Sequence, residues 1–141
     1  MGQTLMLSFR GTSAPGYVLD VLRERRAAGV VIFRENASSQ RQLRALTRRL
    51  QRAAGGEALI AADQEGGAIR ILSWAAPAEG QAGQADAAAA AAAARATARD
   101  LRAAGVNANL APVVDVGAPG GSAVGGRAFP GDARRVAASA T

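Results

Sequence analysis

Two carboxylates and a pair of glycines follow an apolar run in the stretch "ALIAADQEGG". Asp63 and Glu65 are two positions apart, so an extended chain would point both side chains the same way, about 6–7 Å apart. Paired carboxylates can break a glycosidic bond, and this spacing falls between the retaining and inverting separations. An aspartate that ends a strand can instead cap the backbone N–H groups of the next turn. Position alone leaves both interpretations open.

A phosphate-binding loop is a second candidate chemistry. The stretch "GSAVGGRA", from Gly121 to Ala128, has the glycine spacing of such a loop. That motif requires Lys followed by Ser or Thr, whereas Arg127 and Ala128 occupy these positions. Pro130 also interrupts the helix whose N-terminus would bind the phosphate. The sequence therefore disfavours a phosphate site.

A metal centre is the third candidate, and the composition argues against it. Asp63, Glu65 and Asp115 could offer oxygen ligands to Mg²⁺ or Ca²⁺, but no dense ligand spacing accompanies them. The chain has no histidine and no cysteine. It therefore lacks the commonest metal ligand, the commonest general base and thiolate chemistry. We predict no metal site.

Short apolar runs alternate with helical patterns along the 141 residues. The predicted strands are "TLMLSF", "VVIF", "ALIAAD" and "VNANLAPVVDV". The predicted helices are "GYVLDVLRERRAA", stopped by Gly29, then "SSQRQLRALTRRLQRAAGG", "QADAAAAAAAARATARDLRAAG" and "DARRVAASAT". Strands that alternate with helices at this spacing predict an α/β fold with parallel strands, in one domain over residues 1–141.

Polar residues follow the predicted strands at the ends where parallel α/β folds bind their ligands. These groups are Arg34–Asn36, Asp63–Gly67 and Asp115–Arg127. The strand ends therefore predict that Asp63 and Glu65 lie at the edge of the sheet that carries function.

The formal net charge is +6, and every basic residue is an arginine. Four arginines share one face of the second predicted helix and three leucines share another: Arg41, Arg44, Arg48 and Arg52, against Leu43, Leu46 and Leu50. This is an amphipathic helix with a solvated side, and no stacking aromatics interleave with the arginines. We predict no nucleic-acid partner.

The N-terminal stretch "MGQTLMLSFRG" lacks a basic segment before its short apolar run. No apolar run reaches the roughly 18 residues that a membrane helix needs. From these features we predict no signal peptide and no membrane partner. The expected location is therefore the cytoplasm.

Four stretches together resemble the N-terminal domain of glycoside hydrolase family 3, especially its bacterial β-N-acetylhexosaminidase branch. They are "GVVIFRENASSQRQLRALTRRLQ", "ALIAADQEGG", "GVNANLAPVVDV" and "SAVGGRAFPGDARRVA", in this order and spacing. The resemblance covers nearly the whole chain. It implies a (β/α)8 barrel that cleaves terminal β-linked sugars with retention, through a covalent glycosyl–enzyme intermediate and without a cofactor. In this branch the substrates are N-acetylglucosaminides, including those of the cell wall.

The resemblance implies roles for particular residues. Asp63 matches an aspartate that binds hydroxyls of the sugar, and Arg127 matches an arginine that binds the same sugar. Glu65, Gly66 and Gly67 are expected to shape the turn, and Asp115 is expected to hold a neighbouring loop. Ala68 and Ile71 stand where the family usually has arginines. Arg70 is adjacent to the second of these, but on a strand it would face the other side.

The resemblance also implies that the catalytic residues lie beyond Thr141. A complete barrel takes about 250 residues, and the family's acid/base pair includes a histidine that this chain lacks. We therefore expect the N-terminal half of a barrel, inactive by itself, whose unpaired strand edges favour self-association. The alternative is a non-catalytic half-barrel that binds sugar weakly or folds only with a partner.

Overall fold

The computed structural model describes residues 4–116 and 124–140. The strands are β1 (Met6–Leu7), β2 (Gly29–Ile32), β3 (Leu59–Ala62), β4 (Gln64–Gly66), β5 (Ile69–Arg70) and β6 (Ala108–Asn109). The helices are α1 (Gly16–Arg23), α2 (Gln40–Ala53), α3 (Ala87–Ala104) and α4 (Ala133–Ala140). Two compact units contain these elements: Met1–Asp63 with Leu101–Asn109, and Gln64–Asp100 with Leu110–Thr141. The single-domain expectation stays a prediction.

The first unit is built on a parallel sheet with the strand order β1-β2-β3-β6. Its core contains fully buried residues of β2 and β3 and buried residues of α1 and α2, among them Val30, Ile32, Ile60, Val18, Leu22, Leu43 and Leu50. Parallel strands alternate with helices here, so the predicted α/β class is confirmed.

The two faces of this sheet differ in burial. Val30 pairs with Ile60, and both side chains are fully buried. The row of paired residues one position before Val30 and Ile60 contains Met6, Gly29 and Leu59. Because successive residues of a strand alternate between its faces, this row belongs to the opposite face of the sheet. On that face Met6 is 37% exposed and Leu59 is 48% exposed. One face of the sheet is thus covered. The other is covered only in part, because Ala61 on that face is buried whereas Met6 and Leu59 are exposed.

The prediction that Gly29 stops α1 was wrong. The helix ends at Arg23, and Arg25 takes the left-handed backbone angle, with a φ of 53°. Gly29 is instead the first residue of β2, where a Cβ atom would lie 1.8 Å from the carbonyl oxygen of Leu59. The glycine is therefore required by the close approach of two strands.

Helix α2 agrees with the sequence pattern. The Ser39 hydroxyl accepts a hydrogen bond from the Gln42 N–H at 3.2 Å, as an N-cap residue does. Gly55 and Gly56 follow the helix with positive φ angles. Its leucines are buried and the four arginines of the polar face are exposed, so the amphipathic prediction is confirmed.

The second unit contains an antiparallel hairpin of β4 and β5, which the sequence analysis did not predict. Single 3₁₀ turns occur at Gln81–Gly83 and Gly125–Arg127. Its apolar cluster contains Ala90, Phe129 and Val136. The predicted helices α3 and α4 are both present.

The fourth predicted strand is much shorter than expected. Only Ala108–Asn109 belongs to the sheet, and beyond Pro112 a single parallel bridge joins Val113 to Ala128. A proline cannot donate to a strand ladder, which explains the interruption. The predicted Gly-rich loop lies partly outside the described residues, since 117–123 are not among them.

Across the part of the chain that is described, none of the helices combines the length and the apolar character needed to cross a membrane.

Candidate functional site

Asp63 lies directly after β3, at the end where the polar residues were predicted, and its side chain is partly exposed. It is the last residue of the first compact unit before the chain enters the second. Among the described residues no hydrogen bond or ion pair to its carboxylate occurs, so the turn-capping alternative is not observed there.

Glu65 and Arg127 form an ion pair within the second unit. The Arg127 Nε donates to Glu65 Oε2 at 2.9 Å, and its Nη2 donates to Glu65 Oε1 at 2.7 Å. The side chain of Glu65 is 3% exposed and that of Arg127 is 45% exposed. Two parallel N–H···O bonds fix both the position and the plane of the guanidinium group.

Gln81 joins the backbone of this arginine to that of Val113. Its side chain is almost fully buried. In the amide orientation that satisfies both neighbours, its nitrogen donates to the Arg127 carbonyl at 2.8 Å and its oxygen accepts from the Val113 N–H at 2.6 Å. The bridge between Val113 and Ala128 lies next to these bonds. Hydrogen bonds therefore hold Arg127 at its main-chain carbonyl as well as at its guanidinium group.

Gln64 organises the loop that follows β5. Its buried amide oxygen accepts from the Leu72 N–H at 2.9 Å, and its nitrogen lies 3.1–3.3 Å from the carbonyl oxygens of Leu72, Ala75 and Ala76. The loop therefore winds around one side chain.

Arg70 contributes to the same loop. Its Nε and Nη2 donate to the Ala75 carbonyl at 3.0 and 2.8 Å. The expectation that Arg70 supports the site from a neighbouring position stays a prediction, and the observed contacts are with the loop.

At Gly66 the hairpin packs closely against the following loop. Its φ is 95°, and a Cβ atom there would lie 2.1 Å from the carbonyl oxygen of Glu79. Gly67 also has a positive φ, of 57°. The turn-shaping role expected of the "GG" pair has its physical basis in these two features.

Two of the carboxylates considered in the sequence, Glu65 and Asp115, have different surroundings. Glu65 is paired with Arg127, and Asp115 is exposed. In the described ranges no group of three or more Asp, Glu, His or Cys side chains could hold a metal ion. Asp115 has no hydrogen bond to the residues that the structure describes, so its expected role in holding a loop stays a prediction. The phosphate-loop candidate lies partly outside the described residues, at 121–123.

Residues 5–141 match the model of the family described as "Glycosyl hydrolase family 3 N terminal domain". The chain belongs to glycoside hydrolase family 3. The match covers nearly the whole sequence, so the resemblance found in "DQEGG", "LAPVVDV" and "GRAF" is confirmed.

Curated relatives within this family are named beta-hexosaminidases. One from Xylella fastidiosa (strain M12) is 36% identical over 146 residues, covering 96% of this chain and 43% of the relative. One from Xanthomonas oryzae pv. oryzae (strain KACC10331 / KXO85) is 38% identical over 143 residues, covering 94% of this chain and 42% of the relative. The family 3 chain thus spans less than half the length of these relatives.

Solved structures match the fold. A family 3 β-N-acetylglucosaminidase from Paenibacillus sp. str. FPU-7 superimposes with a TM-score of 0.87 at 32% identity, covering 98% of this chain and 28% of that one. NagZ from Neisseria gonorrhoeae has a TM-score of 0.85 at 23% identity, covering 98% and 43%. The prediction of parallel strands and helices from the N-terminal half of a (β/α)8 barrel is confirmed.

Gln64 and Gln81 were not singled out in the sequence. Each is a neutral polar residue in a loop or hairpin region, and nothing in its local pattern distinguishes it from a solvated glutamine. Both side chains are buried because they form hydrogen bonds with backbone groups 8 to 46 positions away along the chain. These partners can be seen only in the folded structure.

Proposed function

We propose that this family 3 chain forms part of a glycoside hydrolase that removes terminal β-linked N-acetylglucosamine with retention, in cytoplasmic carbohydrate metabolism or cell-wall recycling. Its family and the names of its relatives support this proposal. The observation that carries it is the anchored arginine: Glu65 fixes Arg127 while almost half of the arginine side chain stays exposed.

We assign the sugar contacts to Asp63 and Arg127. A carboxylate accepts hydrogen bonds from sugar hydroxyls and a guanidinium donates to them, so each side chain can bind hydroxyls of a pyranose ring. Asp63 follows the carboxyl end of a parallel strand, where α/β folds keep their ligand sites. Glu65, Arg70 and Asp115 would support these contacts rather than touch the sugar.

The chemical step needs groups that this chain does not supply in the family's form. Retention requires a carboxylate nucleophile and an acid/base partner at the anomeric centre. The family's acid/base pair includes a histidine, and these 141 residues contain none. We therefore propose that the nucleophile and the acid/base belong to a further part of the domain, of which residues 1–141 are one portion, and that no cofactor takes part.

A second candidate is a sugar-binding fragment that acts without catalysis and folds fully only with a partner. The exposed apolar face of the first sheet, with Leu59 and Met6, favours it. Several large apolar side chains exposed on the same sheet face are typical of a surface that a partner covers, whereas single ones are not.

Joining residues 1–141 to the part of the Xylella fastidiosa relative that follows its matched segment would test the proposal. The hybrid should release 4-nitrophenol from its N-acetyl-β-glucosaminide, and do so better than from the β-glucoside. Asp63→Ala should lower kcat/KM about tenfold or more, because each lost hydrogen bond in the site costs about 1–3 kcal/mol.

Arg48→Ala is the matched control, since Arg48 is exposed on the polar face of α2. It should leave kcat/KM unchanged. Equal losses from Asp63→Ala and Arg48→Ala in folded hybrids would remove Asp63 from the sugar site. A folded hybrid without activity, together with sugar binding by the chain alone, would favour the fragment that binds without catalysis.

A further inference from the structure

We infer that Glu65 and Gln81 are positioning residues, which hold Arg127 in one orientation before any sugar binds. The inference rests on the proposed function for the role of Arg127. It adds two residues to that role, neither of which needs to touch the sugar.

The side chain of Arg127 is fixed by a contact that leaves little freedom. Nε and Nη2 both bind the same carboxylate, at 2.9 and 2.7 Å, so neither rotation nor tilt of the guanidinium plane is free. The carboxylate itself is buried, with 3% of the Glu65 side chain exposed. A buried carboxylate on a hairpin strand is a firmer anchor than an exposed one, which solvent and rotamer changes would loosen.

The main chain of Arg127 is fixed independently. The buried Gln81 amide joins the Arg127 carbonyl to the Val113 N–H. Arg127 also ends a 3₁₀ turn whose next residue, Ala128, bridges to Val113. The base and the tip of this long side chain are therefore held by different elements.

Such anchoring has two consequences for a ligand. An arginine that is already ordered loses less rotamer freedom on binding, so more of the hydrogen-bond energy appears as affinity. The Glu65 charge also offsets that of the guanidinium, so the pair suits neutral hydroxyls better than a carboxylate or phosphate. Glu65 thereby favours a neutral sugar over an anionic one.

The first test needs no sugar. In NMR spectra of the 141-residue chain, the Arg127 Nε–H signal, assigned by its loss in Arg127→Lys, should exchange slowly with water. Glu65→Gln keeps the shape but removes the charge and one acceptor, and should accelerate exchange about tenfold or more. Gln81→Ala should accelerate it less. Glu57→Gln is the control, because Glu57 is 69% exposed and 3.5 Å from Arg25.

Glu65→Asp separates positioning from folding. It retains the charge on a shorter side chain, and should recover part of the slow exchange that Glu65→Gln loses. Unchanged exchange in folded Glu65→Gln would overturn the inference. Loss of the folded spectrum in both Glu65 variants would also overturn it, because Glu65 would then serve folding alone.

The second test adds ligand. N-acetylglucosamine and glucuronic acid are titrated separately into the chain and into Glu65→Gln, with chemical shifts as the readout. The variant should bind N-acetylglucosamine more weakly and shift its preference toward glucuronic acid. An unshifted preference would contradict the charge argument. If neither the parent chain nor the hybrid binds either sugar, the proposed sugar contact fails, while the exchange measurement still decides whether Glu65 holds Arg127.

Discussion

The carboxylate of Glu65 and the guanidinium of Arg127 pair across 62 residues of sequence, and the two partners differ sharply in burial. The Glu65 side chain is 3% exposed and the Arg127 side chain 45%. Removing the arginine would leave a charge stranded in the interior, whereas removing the glutamate would leave a charge that water can reach. The same ion pair should therefore respond unequally to the loss of each partner.

Arg127→Ala should lower the free energy of unfolding more than Glu65→Gln does. A buried polar group left without its partner costs about 1–3 kcal/mol, and more when it is charged. Glu65→Gln leaves a neutral amide in the same volume and an arginine that is partly solvated. Urea denaturation of both variants measures the difference.

Glu57→Gln is the matched control for this pair, since its partner Arg25 and Glu57 itself are mostly exposed. Exposed ion pairs contribute about 0–1 kcal/mol, so little change is expected. A smaller loss for Arg127→Ala than for Glu65→Gln would contradict the burial argument.

Gly66→Ala should destabilise the chain by about 1–3 kcal/mol or more. The backbone there has a φ of 95°, and the added Cβ would lie 2.1 Å from the Glu79 carbonyl oxygen. Gly16→Ala is the control, because Gly16 begins α1 with nothing within 4 Å of an added Cβ. Alanine there should be neutral or stabilising, by up to about 1 kcal/mol. Thermal unfolding of the two variants compares them, and equal shifts in Tm would refute the prediction.

The 141-residue chain alone should not hydrolyse 4-nitrophenyl N-acetyl-β-glucosaminide above background. Double displacement needs a free carboxylate nucleophile with an acid/base partner, and Glu65 is bound by Arg127. Release of 4-nitrophenol by purified protein measures the activity. Clear turnover that disappears in both Asp63→Ala and Glu65→Ala would show that this local pair performs the chemistry.

The exposed sheet face should make the isolated chain self-associate. Leu59 and Met6 lie in register on that face and are both exposed. Leu59→Glu should lower the average mass in sedimentation velocity at a given concentration, because it places a charge in the apolar contact. Tyr17→Glu alters a side chain on α1 that is more exposed than Leu59, and should change nothing. A parent chain that stays monomeric with a cooperative melt would refute the prediction.

Helix α2 and the parallel strands could be predicted because their signals are local. Leu43 and Leu50 recur at helical spacing, Ser39 supplies the cap, and the β-branched run of β2 has no competing pattern. Asp63 was a candidate from its place at the end of a predicted strand, but its sugar contact and the role of Arg127 came only from the family's motifs. Their neighbourhood on the chain carries no physical signal stronger than a loop with an arginine or a strand that ends in an acid.

The hairpin of β4 and β5 and the contacts of Glu65 and Gln81 with Arg127 could not be predicted. Strands of three and two residues, β4 and β5, fall below the length at which alternation is visible. The role of Gly29 was also predicted wrongly, because it depends on a contact with a distant part of the chain. A glycine after a helical pattern resembles a stop signal, and its true cause, the backbone of Leu59, is 30 residues further along the chain.

The burial of both Gln64 and Glu65 limits how this segment can change during evolution or engineering. The Gln64 amide donates hydrogen bonds to the carbonyls of Leu72 and Ala75, and the Glu65 carboxylate accepts hydrogen bonds from Arg127. Single substitutions affect one partner at a time. A one-residue insertion after Asp63 would exchange the sides of an extended strand. The carboxylate would then meet carbonyl oxygens, and the amide would meet the guanidinium. Changes in chain length should therefore be excluded from this stretch far more strictly than changes in residue type.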